Sequence, residues 1–178
     1  MQTLTEKIYK SAAPEIKSHF SYKNDLQIPR LKMISLNVGI KATESDNKTI
    51  SYVSNQLSNI AGQKSTICYA KKAISTFKLR KDLPIGCKVT LRGKNMYRFL
   101  DKLVNIALPR IRDFRGLSSK GFNQSHHYGF GIKEHSVFLE VNLDNIVKSF
   151  GMNVNVVTTA KTKEETLYLL KKLNLPIK

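Results

Sequence analysis

The sequence is poor in the residues that build metal centres and catalytic sites. It has no tryptophan, four histidines and two cysteines among 178 residues. Cys68 and Cys87 lack the spacing of a metal site, so we interpret them as reduced, buried thiols of a protein from a reducing compartment. His126 and His127 are adjacent, and on a strand they would point to opposite faces, with no further ligand at suitable spacing. We therefore expect neither a metal nor a cofactor.

Catalytic motifs are also missing. Gly86 and Gly93 flank a predicted strand, but their spacing is not that of a P-loop, and Lys94-Asn95 stands where a P-loop has Lys-Ser/Thr. No Ser/His/Asp or Cys/His set and no carboxylate pair in an acid–base context is recognisable from spacing. The prediction is that the protein is not an enzyme.

No apolar run approaches the roughly 18 residues of a membrane span, so we expect no membrane partner. The first twenty residues lack a signal-peptide pattern, and Glu6 and Glu15 are untypical of acid-poor transit peptides. If the protein works in an organelle, we expect that it is made there or that this is its mature form.

Acidic residues are scarce relative to basic ones. There are 13 Asp and Glu against 30 Lys and Arg, which gives a formal net charge of +17 at pH 7. In a compact fold so many positive side chains repel one another, and a polyanionic partner relieves that repulsion. The composition therefore favours a protein that binds nucleic acid.

Hydrophobic periodicity predicts one domain over residues 1–178 with an α+β fold. Helices are predicted for the N-terminal segment, for residues 46–61 and for residues 95–107, with Pro109 ending the third. A fourth helix is predicted to begin at a capping box of Thr162 and Glu165 and to end near Leu173. In the first helix a stripe of Leu4, Ile8, Ala12, Ile16 and Phe20 is interrupted by Pro14, where we expect a break or kink. Strands are predicted at 32–40, 63–69, 87–92, 128–132, 137–141 and 152–159. This order favours a mainly antiparallel sheet with helices packed on one face and the other face open.

Two alternating strands carry polar residues on their predicted non-core sides: Lys32, Ser35, Asn37, Lys88, Thr90 and Arg92. Lysine and arginine neutralise phosphates, whereas asparagine and threonine bond sugar hydroxyls and base edges. A half-exposed antiparallel sheet of any function has such a face. Two such strands in a chain of net charge +17 favour RNA binding.

Two further segments are rich in basic residues. Residues 70–86 form a predicted basic extended loop that mixes apolar with charged side chains, and its candidates are Lys71, Lys72, Phe77, Lys78, Arg80 and Lys81. A solvated charge run is the alternative. Residues 110–134 are predicted to be an irregular loop that begins with Arg110, Arg112, Asp113 and Arg115. Asp113 is placed to hold an arginine fork for phosphate, although an ordinary surface cluster worth about 0–1 kcal/mol is also compatible.

Several segments in order resemble the bacterial-type large-subunit ribosomal protein "L five" family, which binds 5S ribosomal RNA. The two most distinctive are Ile85-Gly-Cys-Lys-Val-Thr-Leu-Arg92 and Ala107-Leu-Pro-Arg-Ile-Arg-Asp-Phe-Arg-Gly116. The others are residues 20–22, 27–29, 34–39, 60–64, 70–80 and 158–161. Four residues depart from the family pattern: Pro14, the adjacent His126 and His127, and Leu139.

The resemblance implies a structural constituent of the large ribosomal subunit whose sheet face grips a loop of 5S rRNA in the central protuberance. The matching positions for that grip are Asn37, Gln63, Thr90 and Arg92. The resemblance further implies a 70–86 loop that reaches towards P-site tRNA, and a region after Pro109 in an intersubunit bridge to the small-subunit head. The implied partners are 5S rRNA, large-subunit rRNA, P-site tRNA and neighbouring ribosomal proteins of the central protuberance and the small-subunit head.

The departures and the Lys/Asn bias make a mitochondrial, organelle-encoded ribosome as plausible as one in the bacterial cytoplasm. Two other functions stay open at this point. The first is a free-standing RNA chaperone or regulator that uses the same face off the ribosome. The second is an RNA-modifying enzyme, which requires a cofactor pocket for which the sequence gives no sign.

Overall fold

The computed structural model describes residues 3–41, 46–142 and 149–178. The helices are α1 (Leu4–His19), α2 (Asn47–Ala61), α3 (Gly93–Lys102) and α4 (Lys163–Lys172). The strands are β1 (Leu31–Gly39), β2 (Thr66–Tyr69), β3 (Pro84–Leu91), β4 (Tyr128–Ile132) and β5 (Met152–Thr158). The strands form one sheet in the order β2-β3-β1-β5-β4. The α+β fold with an antiparallel sheet is therefore confirmed. No helix in the described part of the chain is long and apolar enough to cross a membrane.

One predicted strand, 137–141, is wrong. A 3-10 helix occupies His135–Val137, and a turn follows it. The Phe138 N–H donates to the His135 carbonyl at 3.2 Å, and the Val141 N–H donates to the Phe138 carbonyl at 3.3 Å. Phe138 and Val141 are both buried, and their spacing of three residues fits successive turns rather than the period of two of a strand.

The predicted break at Pro14 is also wrong, because α1 runs through it as a single helix, whereas the kink given as the alternative stays a prediction. Thr3 caps the helix by accepting the Glu6 N–H, and Ala12 and Ile16 on either side of the proline are buried. Packing of α1 against α3 and α4 outweighs the roughly 3 kcal/mol that an interior proline costs. The predicted stripe is only partly buried, since Leu4 is 55% exposed.

By its contacts the chain divides into two compact units, and one of them comprises Ser35–Leu91 and Gly131–Val154. In this unit α2 packs against β2 and β3, and its predicted core residues are buried: Ile50, Val53, Leu57 and Ile60. Gly62 ends α2 in the left-handed region at φ 65°, as expected of a C-terminal glycine. Strand β2 begins three residues later than predicted. Strand β3 begins at Pro84, three residues earlier than predicted, since proline is tolerated as the first residue of a strand.

The other unit comprises Met1–Ile34, Arg92–Phe130 and Asn155–Lys178. Its helix α3 begins at Gly93, two residues earlier than expected, and buries Met96, Phe99 and Leu100. A π-helical segment, Leu103–Ala107, and a 3-10 helix, Leu108–Arg110, continue it. Pro109 therefore lies inside the last turn instead of ending the helix before it. The Thr162–Glu165 capping box at α4 is confirmed. That all 178 residues form a single domain stays a prediction.

Candidate nucleic-acid interface

Strands β1 and β3 separate apolar from polar side chains as the sequence predicted. Leu36 and Val38 of β1 are buried, as are Cys87, Val89 and Leu91 of β3. On the alternate positions Asn37 and Lys88 are exposed, and Ser35 and Thr90 are half-buried. The two strands approach closely at Gly86, where a methyl group would collide with the Val38 carbonyl oxygen. Alternation along each strand therefore presents the polar residues on the side away from the core.

Gln63 lies in the turn between α2 and β2 instead of in the strand itself. Its side-chain amide Nε2 donates to the Thr90 carbonyl oxygen at 3.3 Å. The turn is fixed to α2 because the Ser65 N–H donates to Ser58 Oγ at 2.9 Å and the Ser54 and Ser65 hydroxyls lie 2.7 Å apart. The fold thus brings Gln63 to the end of β3 that carries Thr90.

Arg92 is the next residue after β3 and is exposed. Its backbone, with φ −137° and ψ 162°, is still extended, so the alternation of side chains along β3 continues through it. Arg92 therefore lies on the same side of the strand as Lys88 and Thr90. It is also the N-cap residue of α3. Lys32 is exposed near the start of β1. In a regular strand it would point to the same side as the buried Ile34, two residues later, so its place on the face of Ser35 and Asn37 stays a prediction.

We call Ser35, Asn37, Gln63, Lys88 and Thr90 the polar face. It offers an ammonium group, two amides and two hydroxyls. These groups donate hydrogen bonds to phosphate and sugar oxygens, and the amides and hydroxyls also bond the edges of unpaired bases.

The connection between β2 and β3, residues 70–83, is an ordered basic hairpin. The Ala70 N–H donates to the Leu83 carbonyl at 2.8 Å, and Ile74 and Leu79 exchange two backbone hydrogen bonds of 3.0 Å. A 3-10 helix, Ser75–Phe77, forms the tip. The predicted candidates Lys71, Lys72, Phe77, Lys78, Arg80 and Lys81 are all exposed. Phe77 is 66% exposed, which leaves its ring accessible for stacking.

The arginine-rich start of the bridge-side loop is exposed at Arg110, Arg112, Asp113 and Arg115. Asp113 has a left-handed backbone with φ 55°. Within residues 3–41, 46–142 and 149–178 Asp113 makes no ion pair, so an arginine fork held by Asp113 stays a prediction. Among the described residues Arg110, Arg112 and Arg115 also make no ion pair, so their guanidinium donors are available to a partner.

The histidine pair and the cysteines form no metal centre in the part of the chain that the structure describes. His126 lies in a turn with φ 59°, not on a strand as assumed, and the His127 N–H donates to Asn123 Oδ1 at 2.9 Å. Among the described residues no group of three or more His, Cys, Asp and Glu could hold a metal ion. Both cysteines are free. Cys87 is buried, Cys68 is half-buried, and burial raises the pKa of the Cys87 thiol.

Sequence reasoning missed one basic feature. Lys94 and Arg98 are both exposed on α3, and their spacing of four residues places them on one line along the helix. That spacing was visible in the sequence, but the predicted helix began at Asn95 and so left Lys94 outside it.

Comparisons with known proteins place both halves of the chain in one family. The family model described as "Ribosomal protein L5" matches residues 24–80, and a second model, which describes the C-terminus of the same ribosomal protein family, matches residues 84–177. The chain is 47% identical over 178 residues to "Large ribosomal subunit protein uL5c" of Chlorokybus atmophyticus, with 100% of this chain and 96% of that protein covered. It is 47% identical over 177 residues to "Large ribosomal subunit protein uL5" of Solidesulfovibrio magneticus, with 99% of each chain covered.

Fold, charge and relatives together define a structural, non-enzymatic protein of the ribosome. The chain belongs to the ribosomal protein L5 family. The expected location on a ribosome, in an organelle or in bacterial cytoplasm, agrees with these relatives.

Proposed function

We propose that the polar face, with Arg92 directly after β3, binds a loop of 5S rRNA in the central protuberance of the large ribosomal subunit. The observation that carries this proposal is the hydrogen bond between the Gln63 side chain and the Thr90 carbonyl. It joins two residues that are distant in sequence at the end of β3 from which the chain continues into Arg92. The family resemblance implies a 5S contact for the same positions and for Asn37.

The residue types favour an unpaired loop over a regular duplex. Asn37 and Gln63 each present an amide that donates and accepts, which suits base edges and 2′-hydroxyl groups. Lys88 and Arg92 add charge for the adjacent phosphates. Double-helical RNA hides its base edges in a deep, narrow major groove, so amides of this kind recognise splayed bases better.

The basic hairpin and the bridge-side loop have separate roles in this proposal. The exposed basic side chains and Phe77 at the hairpin contact P-site tRNA. Arg110, Arg112 and Arg115 face the small-subunit head, where they contact rRNA or a protein of that head. Large-subunit rRNA and neighbouring proteins of the central protuberance complete the set of partners.

Alanine substitutions of Asn37 and Arg92 test the polar face. We expect N37A and R92A each to weaken 5S rRNA binding by about 1–3 kcal/mol. Each variant removes hydrogen-bond donors, and the acceptors of the bound RNA loop are then left unpaired. Binding is measured by gel-shift titration of the full chain, and thermal unfolding checks that the fold is intact.

Two exposed residues outside the polar face serve as matched controls. N55A changes an exposed asparagine of α2, and R112A changes an exposed arginine of the bridge-side loop. We expect both to leave 5S affinity within about twofold of wild type, as is usual for surface positions outside an interface. Unchanged affinity for both N37A and R92A would remove the polar face from the 5S site.

A further inference from the structure

Helix α3 carries a basic ridge of two residues, Lys94 and Arg98, which we call the α3 ridge. Both are exposed, and both lie on the side of the helix opposite the buried Met96, Phe99 and Leu100. A rise of 1.5 Å per residue separates the two positions by about 6 Å along the helix axis. The ridge begins two residues after Arg92, which is also exposed.

The charge of the α3 ridge is not neutralised within the part of the chain that the structure describes, where Lys94 and Arg98 make no ion pair. The single acid of α3, Asp101, accepts hydrogen bonds from the Thr5 N–H at 2.7 Å and from the Thr5 hydroxyl. Lys94 also lies in the first turn of α3, which has no acidic residue, and a cation there is repelled by the helix dipole. The arrangement costs stability in the free protein, and a bound anion would reverse that effect.

The composition of the ridge favours a nucleic-acid backbone over a protein partner. Protein interfaces have an apolar, often aromatic centre, and the exposed large apolar residues among those described all lie outside α3: Leu4, Leu26, Tyr69, Ile74, Phe77 and Leu139. The ridge consists of two cations, and the exposed Asn95 beside Lys94 is the one amide of α3. Two cations held on a rigid helix suit the regular phosphates of double-helical RNA, which proteins recognise by shape and backbone.

We propose that the α3 ridge binds the sugar-phosphate backbone of double-helical ribosomal RNA. This contact is additional to the polar face and does not depend on the 5S assignment. Lys94 supplies a point charge, and the Arg98 guanidinium supplies a planar fork that can engage two phosphate oxygens.

The test compares the full-length wild type with a K94Q/R98Q variant on a blunt RNA duplex of about sixteen base pairs and arbitrary sequence. The matched control is K48Q/K171Q, which removes the same charge from exposed helix positions elsewhere. Glutamine has nearly the same helix propensity as lysine and arginine, so we expect similar melting temperatures.

We expect the ridge variant to lose about tenfold or more in duplex affinity, and the control to lose less than about twofold. The slope of log affinity against log salt should fall by about 1.5 for the ridge variant, at roughly 0.7–0.9 per phosphate contact.

Three results would overturn the proposal. Equal losses for K94Q/R98Q and K48Q/K171Q would mean that only net charge matters. An unchanged duplex affinity for K94Q/R98Q would show that the ridge does not bind RNA. An equal loss on a single strand of the same composition would show that the ridge does not select a double helix. An N37A variant that loses no 5S affinity would count against the polar face alone and leave the duplex result intact.

Discussion

His135 is fully buried, although histidine is charged over part of the physiological pH range. Its ring stacks on Phe150 with centroids 3.9 Å apart, and its Nδ1 accepts the Phe150 N–H at 3.4 Å. Its Nε2 lies 3.5 Å from the Tyr52 hydroxyl. A proton on Nδ1 would displace the hydrogen bond from Phe150, so the native site holds the neutral ring. Burial lowers the pKa of His135 below its ordinary value of 6.5.

The stability of the fold should therefore depend on pH through His135. The unfolded chain takes up a proton near pH 6.5, whereas the folded chain resists it. The stabilisation is complete above that pH and is lost as pH falls towards and through the lowered folded pKa, by at most about 1.4 kcal/mol per pH unit. Urea unfolding of wild type at about pH 7.5 and about pH 5.5 should show this loss, and H135F, which keeps a stacking ring, should lose less. The control is H19Q, which removes an exposed histidine and should keep the pH dependence of the wild type. A wild type and an H135F variant with the same pH dependence would contradict this account.

The basic hairpin joins one end of β3, and the Gln63–Thr90 contact of the polar face lies at the other end. Gln63 contacts Thr90 near the carboxyl end of the strand, whereas the hairpin joins β3 at Pro84. Six residues of strand at about 3.3 Å each separate these points by about 20 Å. A single RNA loop of a few nucleotides would not contact both, so the two elements should bind independently.

Neutralising the hairpin tests that independence. The variant K71Q/K72Q/K78Q/R80Q should keep 5S affinity within about threefold of wild type and lose most of its affinity for tRNA, because the hairpin joins β3 at the end away from the Gln63–Thr90 contact. Filter binding to the two RNAs at equal salt gives the ratio of affinities. F77A, which retains every charge, separates stacking from electrostatics. A large loss of 5S affinity in the neutralised hairpin would assign the hairpin to the 5S site.

Local periodicity predicted most of the elements, and long-range packing explains the exceptions. Helix α2 and strands β4 and β5 agree with prediction because their apolar spacing matched a single period throughout. The break predicted at Pro14 was wrong because the local cost of a proline in a helix takes no account of the packing of α1 against two other helices. Residues 137–141 were misjudged because a short apolar run fits a strand and successive turns equally well.

The candidate site was predictable to a different degree. Alternation alone identified the polar side of β1 and β3 at Asn37, Lys88 and Thr90. It did not predict that Gln63 bonds the Thr90 carbonyl, because that contact depends on how the turn after α2 is anchored by serine hydroxyls. Likewise, no local pattern showed whether Asp113 pairs with an arginine, and among the described residues it makes no ion pair.

The whole molecule carries a net charge of +17, and this charge alone attracts any RNA. Binding by counterion release is weak in sequence preference and falls steeply with salt. Recognition by directed hydrogen bonds from the polar face adds affinity that salt affects less. The central claim, that this protein recognises 5S rRNA, therefore depends on the part of the affinity that survives competition and added salt.

The most direct measurement is a gel-shift titration of the full wild-type chain against 5S rRNA, with tRNA as competitor, at low salt and at about 200 mM salt. The account predicts tight 5S binding that excess tRNA does not displace and that persists at the higher salt. Equal affinity for both RNAs, lost for both at the higher salt, would contradict it and would show that net charge alone binds the RNA.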